Sequence, residues 1–79
     1  MLGDYQLLSI VQSCLSSDGL SSYLGQDEKN EWELTCGTIR VFVDGIPHKF
    51  WLCDPDGSTL YITGSAVDAA IEVFKFTHR

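Results

Sequence analysis

Asp54 and Asp56, two carboxylates separated by a single residue, are the side chains whose spacing most invites chemistry in this sequence. They lie in Asp54-Pro55-Asp56-Gly57-Ser58-Thr59, directly after the apolar run Phe50-Trp51-Leu52-Cys53. Proline at the second position and glycine at the fourth also make this the pattern of a type I turn closing a hairpin, and that is the reading we adopt. His48 is expected on the same strand face as Ile46, Phe50 and Leu52. It has no nucleophile with an orienting partner beside it and reads as a histidine at the core edge. Cys14, Cys36, Cys53 and His48 offer four zinc-type ligands, but no two have short-loop spacing and each fits the apolar periodicity around it. No enzymatic activity, metal or cofactor is expected.

The remaining acids are distributed unevenly. Asp4, Asp18, Asp27, Glu28, Glu31 and Glu33 all fall in the first 33 residues, where Lys29 is the one opposing cation. Glu31 and Glu33 share the polar side of one strand, about 6.8 Å apart by strand rise. Asp54 and Asp56 add charge at a turn. A solvated acidic surface serves solubility; the sharper reading is a surface that competes with nucleic acid for a basic groove.

These residues must be positioned by a small frame. The chain has 79 residues, with 11 Asp+Glu against 5 Lys+Arg and a net charge of -6. That length specifies one domain, residues 1–79, with a modest core and no second lobe to enclose a deep cleft. The acidic balance repels phosphate backbones, so direct nucleic-acid binding is not expected. No apolar run approaches the ~20 residues of a membrane-spanning helix. Three cysteines without close pairing argue against a disulfide scaffold or a zinc knuckle, and Met1-Leu2-Gly3-Asp4 lacks the basic flank of a secretory signal. The run Val11-Gln12-Ser13-Cys14 resembles a lipoprotein processing site, but without that flank it reads as helix. A cytoplasmic location is expected.

Leu7, Leu8, Val11, Cys14 and Leu15 share one face of a helix, with Asp4 as its cap and an end near Ser16 before Asp18-Gly19. Leu20, Tyr23 and Leu24 suggest one more helical turn, and residues 25–30 an exposed loop. From Glu31 the period changes to two, placing Trp32, Leu34 and Cys36 on one strand face. Beyond Gly37 the apolar set is Ile39, Val41 and Val43, so Gly37 marks either a bulge in one bent strand or a break between two. Asp44-Gly45 suits a two-residue type I′ hairpin. It would set Val43 opposite Ile46, Val41 opposite His48, Ile39 opposite Phe50 and, without a bulge, Cys36 opposite Cys53. Residues 58–63 form the next strand, with Leu60 and Ile62 facing one way and Thr59, Tyr61 and Thr63 the other. Ser65 and Asp68 make a capping box for a last helix with the apolar stripe Val67, Ala70, Ile71 and Phe74. Lys75, His78 and Arg79 suit its negative end. The expected architecture is α+β, two-layer: an antiparallel three- or four-stranded sheet between an N-terminal and a C-terminal helix, both helices on one sheet face.

The chain carries three resemblances. The Asp54–Thr59 segment looks like the Asp-x-Asp-Gly-Thr loop of haloacid-dehalogenase-type phosphatases, which implies one aspartate attacking phosphorus and the other handling the proton. That family requires a parallel sheet, a lysine and further aspartates after the motif, and the 22 residues beyond Gly57 hold no such set. The segment also resembles part of a calcium loop but lacks the distal glutamate and flanking helices. In size, charge and element order the chain is similar to small phage- or mobile-element-encoded inhibitors, including anti-CRISPR proteins. This resemblance implies a protein inhibitor acting in the host cytoplasm, on a basic nucleic-acid-binding surface of a partner complex. It carries no motif, so the candidate contacts Asp27, Glu28, Glu31, Glu33, Asp54 and Asp56 come from the charge distribution. Each would pair with Lys or Arg of the partner protein, making association salt-sensitive. The alternative is an accessory interaction domain or homodimer using an open strand edge and exposed Trp32, Phe42 or Trp51.

Overall fold

A computed structural model describes residues 3–78; the expectations placed on Met1, Leu2 and Arg79 lie outside them. Helix α1 spans Asp4–Ser17 and buries Leu8, Val11 and Leu15, with Leu7 and Cys14 packed at the core margin. Its cap is Gly3 rather than Asp4. The Gly3 N–H donates to Gln6 Oε1 at 3.0 Å, and Asp4 sits in the first turn, where its charge complements the helix dipole. At the far end Gly19, with φ +81°, lets its own N–H reach Ser16 O and the Leu20 N–H reach Leu15 O. This satisfies the last carbonyls and returns Leu20 to the core.

Five strands follow: β1 (Tyr23–Gln26), β2 (Trp32–Cys36), β3 (Ile39–Asp44), β4 (Lys49–Cys53) and β5 (Thr59–Thr63), each antiparallel to the next in the order β1-β2-β3-β4-β5. Helix α2 spans Ala66–Thr77. Helix α1 packs on β1 to β3, α2 on β3 to β5, and the helices pack on each other. The fold is thus α+β with both helices on one sheet face, but the sheet has five strands rather than three or four. The additional strand is β1, where helical spacing of Leu20, Tyr23 and Leu24 suggested a turn. A four-residue segment with glycine in it gains little as a helix, whereas pairing Tyr23–Gln26 with β2 engages its main-chain groups in a ladder. The Tyr23 ring lies against Gly25, 2.6 Å from where a Cβ would stand, so a larger residue there would displace this exposed ring.

The β3–β4 register also differs from the expectation. Asp44 pairs with Lys49, Val43 with Phe50, Val41 with Leu52 and Arg40 with Cys53, leaving residues 45–48 as a four-residue loop. A two-residue slip of each strand preserves which face every side chain takes, so periodicity alone does not distinguish the two registers. Burial does. The observed pairing sets four buried apolar residues against one another, whereas the shorter hairpin would place His48 and Ile46 opposite Val41 and Val43. His48 is instead exposed in the loop, and Ile46 is fully exposed. The two-residue turn lies at Gly37-Thr38, where Gly37 has φ +62° and Cys36 pairs with Ile39. Gly37 therefore separates two strands, and Cys36 does not face Cys53.

On α2 the buried residues are Ala69, Ala70 and Val73. The expected stripe keeps only Ala70 buried: Val67 is 57% and Ile71 47% exposed, and Phe74 stacks on His78 with ring centroids 4.0 Å apart. The small Ala69–Ala70 pair allows α2 close against its neighbours, turning the bulkier residues outward. Half of the capping box forms. Ser65 Oγ accepts from the Asp68 N–H at 3.2 Å, but the Asp68 carboxylate turns away to accept the Tyr61 hydroxyl at 2.8 Å.

Candidate functional site

Two of the candidate acids have internal tasks. In the β1–β2 loop, Asp27 Oδ1 accepts the N–H groups of Lys29 at 2.8 Å and Glu31 at 3.0 Å. In the β4–β5 loop, Asp54 Oδ1 accepts those of Asp56 at 3.0 Å and Ser58 at 2.9 Å. The reversal is otherwise the same: Asp27 N donates to Glu31 O and Asn30 N to Asp27 O, matched by Asp54 N to Ser58 O and Gly57 N to Asp54 O. Asn30 and Gly57 occupy equivalent positions with φ +64° and +88°. Asp54 and Asp56 thus belong to a turn held by its first carboxylate.

In this meander the β1–β2 and β3–β4 loops lie at one end of the sheet, and the β2–β3 and β4–β5 loops at the other. Asp27, Glu28 and Glu31 consequently sit together around one groove with Gln26 and Lys29, while Asp54 and Asp56 stand at the opposite end of the sheet. Glu33 lies on the sheet face away from the helices, paired in register with Gly25. The structure does add Asp4 and Asp44 to the first group. Sequence reading assigned Asp4 to a helix cap and Asp44 to a tight turn; joining them to Glu31 requires the strand order and register, for which the sequence carries no local signal.

These acids meet where the sheet opens. The β2–β3 ladder runs from Cys36↔Ile39 to Leu34↔Val41, after which Trp32 pairs with β1 and Phe42, Val43 and Asp44 pair with β4. A cleft of about 350 Å³ lies there, lined by Asp4, Glu31, Trp32, Phe42, Val43, Asp44, Trp51 and Cys53. Tyr5 meets Trp32 edge-on at 4.7 Å. Phe42 and Trp51 are direct cross-strand partners, and the Trp51 indole N–H is buried without a hydrogen-bond partner among the described residues. Asp44 Oδ1 accepts the Gly45 N–H at 2.8 Å, leaving its second oxygen for other contacts.

Elsewhere the titratable groups serve the fold. Asp68 is held below the usual carboxylate range, first by the Tyr61 hydroxyl and then by a hydrogen bond from Thr63, and Tyr61 is raised chiefly by that same bond. Burial pushes the Cys36 thiol up, which keeps it protonated and unreactive near neutrality. Cys14, Cys36 and Cys53 are free thiols. Among the described residues no three His, Cys, Asp or Glu side chains converge to hold a metal ion, and no helix is long and apolar enough to cross a membrane. No family model, curated protein or solved structure matches the chain.

Proposed function

We propose that this protein is a small acidic inhibitor that binds a partner protein by occupying a basic surface otherwise used for nucleic acid. The observation that carries the reading is the gathering of Asp4, Asp27, Glu28, Glu31 and Asp44 along one end of the sheet, with Glu31 shared between the cleft and the adjoining groove. Lys29 in the β1–β2 loop and Lys49 at the start of β4 are the cations nearby, so the field at this end is negative and favours Lys- and Arg-rich partners. Glu33 extends the surface onto the open sheet face. Asp54 and Asp56, at the opposite end, contribute to the general charge and to turn geometry rather than to this interface.

Affinity capture from lysate at low and high salt tests the reading, using the chain and its Glu28→Lys/Glu31→Lys variant. The expected result is a nucleic-acid-binding complex that is released by salt, displaced by added DNA or RNA, and not captured by the variant. Capture that survives both high salt and charge reversal would sink the proposal.

A second reading, self-association, is favoured by β5. This edge strand carries no charge over residues 58–64 and exposes Leu60 and Ile62, so it lacks the usual protection against pairing with another edge. Concentration-dependent sedimentation that is lost in Ile62→Lys would support it; a monomer across the range would dismiss it.

A further inference from the structure

We propose that the cleft between β2 and β3 receives an arginine side chain of the partner, an inference that rests on the inhibitor reading and gives that interface its central contact. Three features of the lining point to this occupant. Asp4, Glu31 and Asp44 supply carboxylates, Trp32, Phe42 and Trp51 supply aromatic rings, and no Lys, Arg or His is among the lining residues. Carboxylates alone would suit any cation, but the described acids do not converge tightly enough for a metal. Aromatic rings among them select an organic cation that is weakly hydrated and flat. A guanidinium meets both demands: it stacks on a ring face and directs a planar fork of N–H donors at carboxylate oxygens. An ammonium is a compact, strongly hydrated charge and uses the rings less well.

The occupant is a residue of a chain rather than a free ion. The cleft, about 350 Å³, is much larger than a guanidinium group. Part of its wall is formed by β2 and β3 where their mutual ladder has ended, beyond Leu34 and Val41, which leaves main-chain groups there that this ladder does not use. A peptide segment brings carbonyl oxygens with its side chain and so answers the main-chain groups as well as the carboxylates.

Titration of the ¹⁵N-labelled full chain with Nα-acetyl-arginine amide, followed through the two tryptophan indole N–H resonances, tests this without the partner. A saturable shift of the Trp51 resonance is expected, with affinity at least about 5-fold above that for the lysine analogue and above that for neutral Nα-acetyl-citrulline amide. Glu31→Gln and Asp44→Asn, made singly, should each weaken it by about 3-fold or more, and Asp56→Asn at the other end of the sheet should leave it unchanged. Both variants are near-isosteric, and the dispersion of the amide spectrum reports whether each remains folded. A linear shift, or an equal response to citrulline, would overturn the cleft assignment, as would indifference to both folded variants. If that happened while capture remained salt-labile and competed by nucleic acid, the inhibitor reading would stand without an arginine in the cleft. Arginine binding with no such partner would leave the cleft and remove the inhibitor reading.

Discussion

In the β4–β5 loop, Asp54 opens the reversal and Gly57 takes the positive φ; in the β1–β2 loop, Asp27 and Asn30 fill the same positions. The backbone hydrogen bonds correspond one for one, yet the intervening residues are Pro55-Asp56 in one loop and Glu28-Lys29 in the other. What the pair teaches is that the reversal depends on a carboxylate reaching two N–H groups and a residue tolerant of the left-handed region, not on proline. It also separates two kinds of acid. Asp27 and Asp54 serve their own backbones, whereas Glu28 and Glu31 in one loop and Asp56 in the other are exposed, and Glu31 joins the cleft to the groove that Glu28 also lines.

The comparison can be broken by mutation. Asp27→Ala and Asp54→Ala should each cost about 2 kcal/mol, since each strands two N–H groups that had a charged acceptor. Denaturant midpoints would show the loops to be unequal if the two losses differed by more than about 1 kcal/mol. Gly57→Ala should cost about 1 kcal/mol, because a Cβ is strained at φ +88° although open space surrounds it. Asn30→Gly should raise stability by a few tenths of a kcal/mol, sharpening the equivalence from the other side. The smallest effect concerns Asp68, an aspartate held by side-chain hydroxyls. Its lowered pKa contributes stability that is complete above about pH 4 and is lost as pH falls through the folded-state value. Tyr61→Phe removes the first cause of that lowering, so a carboxyl-detected NMR titration should show Asp68 moving up towards the ordinary aspartate value.

Those loops also show where the sequence was readable. Proline and glycine announce the Asp54 turn, and hydrophobic periodicity announces α1, the strand faces and the general site of α2. The Asp27 turn lacks both markers, so β1 was concealed behind an apparent helical spacing of Leu20, Tyr23 and Leu24. Asp44-Gly45 carried a strong local signal for a tighter turn, but burial of Phe50 and Leu52 opposite Val43 and Val41 outweighed it. Of the candidate site, Asp27, Glu28 and Glu31 were visible as a local run of charge. Their association with Asp4, Asp44 and the aromatic rings was not, because it arises from strands that part beyond Leu34 and Val41.

The meander also sets an order of events in time. Every strand pairing joins neighbours in sequence, so each hairpin closes a short loop, whereas the packing of α1 on α2 joins segments separated by the whole sheet. Short closures lose little chain entropy and precede long ones. The expected rate-limiting barrier is therefore crossed with the central hairpins formed and the helix pair still loose. Weakening the packing of α2 at the fully buried Ala69 with Ala69→Gly should accelerate unfolding while leaving the refolding rate nearly unchanged, and weakening β3–β4 with Val41→Ala should slow refolding.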